Sequence, residues 1–126
     1  MLGNMFGLRK NTHNIGLEGE AIALKYLRRK RYAIVETGFR FLRGEIDIVA
    51  RDGGTLVFVE VKMRTGCAFG RPEESVTPGK QRQIRKVAEG YLMLRRPGNV
   101  ACRFEVIAIR PVGERGYAVE HFVDAF

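Results

Sequence analysis

Long apolar runs, paired cysteines and clustered histidines are all scarce in this sequence of 126 residues. No apolar run approaches the roughly 20 residues of a membrane-spanning helix, and the stretch MLGNMFGLRKNTHN lacks the apolar segment of a secretory signal, so we expect a cytoplasmic location. Cys67 and Cys102 lie far apart without CxxC spacing, which favours reduced thiols over a disulfide. With only His13 and His121, a four-ligand structural zinc site is not expected.

Acidic residues are the minority among the charged side chains. Lysine and arginine together number 22 against 14 aspartates and glutamates, which gives a net charge of +8. Such an excess favours a polyanionic partner, with nucleic acid first and an anionic membrane second. A solubilising surface is the alternative, and charge alone does not decide between them.

The length and the absence of internal repeats predict one domain. Residues 1–14 contain glycine and asparagine without a sustained pattern, so we expect a flexible arm there and a single domain over residues 15–126.

The stretch GEIDIVARDGGTLVFVEVKM, from Gly44 to Met63, predicts two strands joined by a tight turn. Asp52-Gly53-Gly54 supplies residues that tolerate positive φ. If the two glycines are the central turn residues, Asp47 lies directly opposite Glu60, and Glu45 lies opposite Lys62.

This register divides the hairpin into an apolar face and a face that is polar at one end. The apolar face carries Ile46, Ile48, Ala50, Val57, Val59 and Val61. On the other face, the carboxylates of Asp47 and Glu60 repel each other, and a fold tolerates them mainly if a metal ion or Lys62 lies between them. A one-residue bulge would change the register.

Asp47 followed by Glu60-Val61-Lys62 on the next strand resembles the D…(D/E)xK signature of the restriction-endonuclease-like nucleases. The stretches GEAIALKYL, GEIDIVARD, LVFVEVKMR, CRFEVIAI and the ending DAF resemble the YraN-like family, which is similar to archaeal Holliday junction resolvases. The resemblance covers nearly the whole chain after about Asn14. It implies a nuclease acting on nucleic acid, DNA before RNA. The family's RFDV strand is Arg103-Phe104-Glu105-Val106 here, one methylene longer.

Glu20 lies on the first predicted helix, which we expect to run from about Ile15 to Arg29. The helix has an apolar stripe of Leu17, Ala21, Leu24 and Leu27 or Arg28, and Glu20 falls inside it. Glu20 is either a carboxylate at the stripe's edge, paired with an arginine, or a third carboxylate of the metal site, as the family resemblance implies.

The remaining pattern predicts a strand from about Tyr32 to Glu36, a helix from Pro78 to about Leu94 and strands over 100–109 and 117–122. The apolar stripe of the second helix is Ile84, Val87, Ala88, Tyr91 and Leu92. Thr77 is the expected N-cap of the second helix. The order α-β-β-β-α-β-β predicts an α/β (α+β) fold, in which helices flank a central mixed sheet. The family resemblance implies the restriction-endonuclease-like version of this architecture.

The expected cofactor is Mg²⁺ or Mn²⁺. Magnesium prefers oxygen ligands and needs only one or two carboxylates, which Asp47 and Glu60 supply. The backbone carbonyl of Val61 is a candidate third oxygen, and Glu20 would bind directly or through water. Lys62 would orient or deprotonate the attacking water, or stabilise developing negative charge. Alternatively, Asp47, Glu60 and Lys62 form a charge cluster with a structural role only.

Candidate phosphate-binding residues are spread over four segments. Arg28, Arg29 and Arg31 either complement the dipole of the first helix or contact phosphates. Arg64 and Arg71 lie in the long segment from Met63 to Ser75. Lys80 and Gln81 lie at the start of the second helix, where either side chain reaches the site or simply ends the stripe, and ending the stripe is favoured more for Lys80. Arg82 and Arg85 belong to a solvated face of that helix that also meets phosphates.

The sequence thus predicts a metal-dependent nuclease, with branched DNA as one substrate class. A nucleic-acid-binding module of the same fold without robust cleavage is the second hypothesis. A basic interaction protein that meets an acidic protein or a membrane is the third. The pattern leaves open whether the protein is a monomer or a homodimer.

Overall fold

The computed structural model describes residues 7–64 and 76–126. The elements in chain order are α1 (Gly7–Arg29), β1 (Ala33–Phe41), β2 (Gly44–Asp52), β3 (Thr55–Met63), α2 (Pro78–Arg95), β4 (Ala101–Val112) and β5 (Gly116–Phe122). The predicted order α-β-β-β-α-β-β is confirmed. None of the described helices is long and apolar enough to cross a membrane. The predicted loop from Met63 to Ser75 falls mostly on residues 65–75, outside the described residues, and residues 1–6 of the arm predicted over residues 1–14 lie outside them too.

The five strands form one mixed sheet in the order β1-β2-β3-β4-β5. Neighbours pair antiparallel except β3 and β4, which are parallel and are connected through α2. A parallel pair needs such a crossover, because a short turn cannot return the chain to the same end of the sheet. The predicted fold class, a mixed sheet flanked by helices, is confirmed.

The two faces of the sheet carry separate cores. One core packs α1 on the sheet and includes Ala23, Leu27, Ile48, Ala50, Val57, Val59, Ile107 and Ile109. The other packs α2 and includes Val49, Leu56, Phe58, Ile84, Val87, Ala88 and Tyr91. Alternate residues of β2 and β3 therefore contact different helices, as the period-two pattern requires. The predicted apolar stripe of the second helix is confirmed at four positions (Ile84, Val87, Ala88 and Tyr91), and Leu92 is partly buried.

The predicted hairpin register is confirmed from Ile48↔Val59 to Asp52↔Thr55, and Gly53 has the expected positive φ of 61°. The assignment of Ile46 to the face of Ile48 was wrong, because Ile46 packs in the α2 core. The paired register of β2 and β3 ends at Ile48↔Val59, and the side chain of Asp47 accepts the backbone N–H of Val61. The strand is thus irregular at Asp47, and the alternation of faces changes there.

Helix α1 departs from the prediction at its start and in its buried stripe. It begins at Gly7 rather than Ile15, since no proline interrupts residues 8–14 and they include good helix formers. The predicted stripe is confirmed at Leu27, which is fully buried, and Leu24 packs against the core. It was wrong at Leu17, which is 53% exposed, and at Ala21, which is also exposed, while Ala23 is fully buried without having been predicted. Small residues face the sheet because the helix lies close to it. A Cβ atom on Gly19 would lie only 2.9 Å from the side chain of Met63.

The other boundaries shift by a few residues. Strand β1 continues to Phe41, because residues 37–41 pair with β2. The predicted N-cap is confirmed: Thr77 Oγ1 accepts the N–H of Lys80. Cys102 is an exposed free thiol, and Cys67 lies outside the described residues.

Candidate metal centre

Asp47 lies where the regular pairing of β2 with β3 stops. Its Oδ2 accepts the backbone N–H of Val61 at 2.8 Å, so the side chain takes the place of a ladder hydrogen bond. The direct Asp47–Glu60 ladder pair predicted from the register does not form, because the register ends one residue earlier. Their carboxyl groups nevertheless lie close enough to share a hydrogen bond, so the irregular strand still brings them together.

Glu60 is poorly solvated and has little positive charge near it. Its side chain is 13% exposed, and its one ion pair among the described residues is with Lys80, whose Nζ lies 3.9 Å from Oε2. Burial raises the pKa of Glu60 to about 8, and the charge of Asp47 adds to the rise, while Lys80 and Lys62 oppose it. Burial raises the pKa of Asp47 as well, although the N–H of Val61 counteracts it. The pair therefore lacks the cationic charge that would keep both carboxylates ionised.

Glu20 approaches the same region from the opposite layer of the fold. Because Gly19 allows α1 to pack closely on β3, the next residue is brought towards the sheet. Burial raises the pKa of Glu20, and the carboxylates of Asp47 and Glu45 raise it further. Glu20 thus contributes negative charge to the pair from the α1 side, while Lys80 faces it from the α2 side.

Of the two candidates at the start of α2, the sequence favoured Gln81 over Lys80 as the residue that reaches the site. The structure shows the opposite. Lys80 reaches the site, where its Nζ approaches Glu60. Gln81 turns back instead, and its Nε2 donates to the carbonyl of Val76 at 2.9 Å. The preference for Gln81 over Lys80 was therefore wrong, because the phase of α2 on the sheet directs position 80 towards β3.

Lys62 follows Glu60 on β3 and is exposed. The predicted placement of Glu45 directly opposite Lys62 was wrong, because the paired register of β2 and β3 ends at Ile48↔Val59. Glu45 pairs with Arg40 of β1 across the antiparallel register, and Arg40 Nη2 lies 3.1 Å from Glu45 Oε1. Lys62 makes no ion pair with another described residue, and its charge opposes the rise in the pKa of Glu60.

The donor set fits a hard divalent cation held by few protein ligands. Among the side chains that the structure describes, those of residues 17–64 and 76–126, no three His, Cys, Asp or Glu side chains are arranged to hold a metal together. The described set is thus the pair Asp47 and Glu60, which is the number of carboxylates that Mg²⁺ commonly takes from a protein while it keeps several waters. Val61 and Glu20 as further ligands stay predictions.

The predicted phosphate-binding residues divide by position. Arg28, Arg29 and Arg31 lie at the C-terminal end of α1, roughly 12 Å or more along the helix from Glu20. Arg82 lies one turn or less from Lys80, near the site, whereas Arg85 stacks over Phe104, with its guanidinium carbon 4.8 Å from the ring centre. Arg64 donates its backbone N–H to Ile109, and Arg71 lies outside the described residues.

A second buried carboxylate was missed by the sequence reasoning. Glu105 is fully buried on β4, on the α1 side of the sheet. The hydroxyl of Tyr32 lies 3.1 Å from both carboxylate oxygens, and both Arg103 Nε and His121 Nε2 donate to it. Burial raises the pKa of Glu105, but these hydrogen bonds and the charge of Arg103 outweigh it, so the pKa lies below its usual value. The alternation RFEV was the only signal for it, and its partners lie up to 73 residues away.

Comparison with known proteins adds a family and no activity. Residues 19–109 match the uncharacterised protein family UPF0102. A UPF0102 protein of Geotalea daltonii is 49% identical over 123 residues, which cover 97% of each chain. Similar proteins, also described only as UPF0102 proteins, are 48% identical in Geotalea uraniireducens, over 94% of this chain and 93% of the relative, and 49% identical in Chlorobaculum parvum, over 89% and 91%.

Proposed function

Because the chain belongs to the uncharacterised protein family UPF0102, the restriction-endonuclease-like YraN group, we propose that it is a metal-dependent nuclease. It would hydrolyse phosphodiester bonds, with branched or structured DNA as the first substrate class to test. The single observation that carries the proposal is the carboxyl pair Asp47 and Glu60, which is largely but not fully buried, adjacent and short of positive charge.

Asp47 and Glu60 would hold a Mg²⁺ or Mn²⁺ ion, with the carbonyl of Val61 and, directly or through water, Glu20 as further oxygen donors. A bound cation would supply positive charge to the phosphoryl group and lower the pKa of the attacking water. The N–H of Val61 fixes Asp47 in place through its 2.8 Å hydrogen bond, so this ligand is oriented before any ion binds. Such preorganisation lowers the entropy lost on binding.

The two lysines would act on the substrate side of the pair. Lys62 would orient the attacking water or stabilise charge that develops on the phosphoryl oxygens, since it is exposed and lies on the strand that carries Glu60. Lys80 partly neutralises Glu60 at 3.9 Å and is free to turn towards a phosphate when a cation replaces it.

A nucleic-acid-binding module without robust cleavage is the second candidate. It is favoured by one observation: the described residues hold a two-carboxylate set rather than a three-ligand one. Under this hypothesis Lys80 is the permanent partner of Glu60, and added Mg²⁺ changes neither the stability nor the nucleic acid.

The test is a panel of duplex, single-stranded, flapped and four-way DNA, with matched RNA, incubated with Mg²⁺, Mn²⁺ or chelator. We expect metal-dependent cleavage that both Asp47→Asn and Glu60→Gln abolish. Glu89→Gln is the matched control, because Glu89 is an exposed glutamate of α2 and lies outside the site. Cleavage that survives in both site variants would come from a contaminant and contradict the proposal.

A further inference from the structure

A groove next to the carboxylate pair lies between the β1–β2 turn and the first turns of α2. It has a volume of about 930 Å³, within the range of about 300–1,000 Å³ that is common for ligand sites. Its apolar part is made by Phe41, Leu42 and Val87. Leu42 is 80% exposed, and its φ of 56° places it at the tip of the turn, so a large apolar side chain stands at the mouth of the groove.

The polar part of the groove carries charge of one sign. Arg43, Lys80, Arg82 and Lys86 are four of the lining residues, and no acidic side chain is among the described residues that line it. A mixed-charge surface would bind an ion pair or water. An apolar wall beside four cations instead complements a ligand that joins a flat apolar group to a phosphate.

The groove is held in shape and is continuous with the site. Gln83 Nε2 donates to the carbonyl of Arg43 at 3.3 Å, which ties the turn to α2. The turn also packs tightly, since a Cβ on Gly44 would lie 2.5 Å from Val87. Lys80 belongs to both places: it lines the groove, and its Nζ lies 3.9 Å from Glu60.

We propose that this groove binds an unpaired nucleotide of single-stranded nucleic acid, next to the phosphodiester presented to Asp47 and Glu60. The inference rests on the proposed nuclease function and makes its substrate more specific. The base packs against Leu42 and Phe41, because every base has an apolar face, and the flanking phosphates meet Arg43, Arg82 and Lys86. A duplex cannot place a base there without unstacking it, which costs a few kcal/mol. The substrate is therefore nucleic acid with a single-stranded portion, such as a flap, gap or junction.

The test measures binding in chelator, where no cleavage occurs, by fluorescence anisotropy with a 20-nucleotide single strand and a blunt duplex of the same sequence. We expect the parent to prefer the single strand. Leu42→Ala should weaken single-strand binding by about fivefold or more and leave duplex binding unchanged. Leu94→Ala is the matched control, because Leu94 is also an exposed leucine, 56% exposed, but lies near the end of α2 and does not line the groove.

Charge in the groove is tested in the same assay. Lys86→Ala should reduce the slope of log K against log salt by about 0.7 for the single strand, whereas Lys25→Ala, an exposed lysine of α1, should not. Equal losses on single strand and duplex would mean that the groove contacts an intact duplex, and this would overturn the inference. Unchanged binding in both groove variants would overturn it too.

Failure of this inference and failure of the proposed function give different results. If the groove variants bind like the parent but Asp47→Asn removes metal-dependent cleavage, the inference is wrong and the nuclease proposal stands. If the parent binds no nucleic acid of either form at moderate salt, both are wrong.

Discussion

Two acidic sites on the same sheet have pKa values shifted in opposite directions by their surroundings. Glu105 is fully buried, yet hydrogen bonds from His121 and Arg103 outweigh the effect of burial and keep its pKa low. Glu60 is slightly more exposed, yet burial and the adjacent Asp47 raise its pKa to about 8, and Lys80 approaches only to 3.9 Å. Burial alone therefore does not explain the difference in pKa between the two sites. The number of hydrogen-bond donors and positive charges near each carboxyl group does.

The difference distinguishes a structural carboxylate from one that is short of a partner. A buried charge that is fully hydrogen-bonded stabilises a defined arrangement of its neighbours. A buried carboxyl pair with too few donors costs stability, and perturbed pKa values of this kind cluster at functional sites. Glu105 belongs to the first class, and we assign the pair Asp47 and Glu60 to the second.

The largest effect is expected from a change that leaves both carboxyl sites intact. Lys62→Met keeps most of the side-chain length and removes the charge, so metal binding and DNA binding should stay close to those of the parent. Cleavage should fall by about 10²–10⁴-fold, the usual effect of losing a positioned acid–base group. The measurement is single-turnover cleavage of the best substrate of the panel, with all variants purified alike. Parent-like cleavage would show that Lys62 has no part in the chemistry.

Removal of the Glu105 carboxylate should disrupt the hydrogen-bond network that it forms with Arg103 and His121. Glu105→Ala leaves Arg103 and His121 without their shared acceptor, so the free energy of unfolding should fall by about 3–5 kcal/mol. Urea denaturation followed by circular dichroism measures this loss, and Glu114→Ala, an exposed glutamate of the β4–β5 turn, is the control. A loss no larger than that of the control would mean that the network contributes nothing to stability.

Neutralising Glu60, which has few hydrogen-bond donors, should instead increase the free energy of unfolding. In chelator, Glu60→Gln removes the charge that burial and Asp47 disfavour, so the free energy of unfolding should rise by about 1–2 kcal/mol. The same variant should lose metal-dependent stabilisation. Destabilisation of the metal-free protein by Glu60→Gln would contradict the description of the pair as short of positive charge.

The two carboxyl sites should also give opposite pH dependences of stability in the metal-free protein. Between the ordinary pKa of 4.5 and the folded value of about 8, folded Glu60 holds more proton than the unfolded chain, so its contribution to stability falls as pH rises. The pKa of Glu105 is lowered, so its contribution is full above pH 4.5 and is lost as pH falls below that value. Urea midpoints from pH 3 to pH 9, compared between the parent and Glu60→Gln, measure both. An identical decline from pH 5 to pH 8 in the two proteins would contradict the assignment to Glu60.

The sequence predicted the hairpin, the α2 stripe and the meeting of Asp47 with Glu60, because period-two and helical patterns follow directly from which side chains are apolar. It did not predict the irregular strand at Asp47, where a side chain replaces a backbone hydrogen bond. It also favoured Gln81 over Lys80 as the residue that reaches the site, which was wrong. Adjacent helical positions differ by about 100° around the axis, and the docking of α2 on the sheet decides which one faces β3.

Contacts between residues far apart in the chain were the second feature that the sequence did not predict. The acceptor network of Glu105 joins Tyr32 from the start of β1 to His121 from β5, and no local pattern connects residues so far apart in the chain. The predicted stripe of α1 was right at Leu24 and Leu27 but wrong at Leu17 and Ala21, which are exposed, for a related reason. The pattern favoured large apolar side chains, while Gly19 and Ala23 are what let the helix approach the sheet.

The central claim is that Asp47 and Glu60 form a divalent-cation site, and calorimetric titration with Mg²⁺ and Mn²⁺ tests it most directly. The parent and Glu89→Gln should each bind the ion, with release of protons at pH 7 because the pKa of Glu60 is about 8. Asp47→Asn and Glu60→Gln should show no binding at that site. Equal binding by all four proteins, or no binding by the parent, would contradict the account.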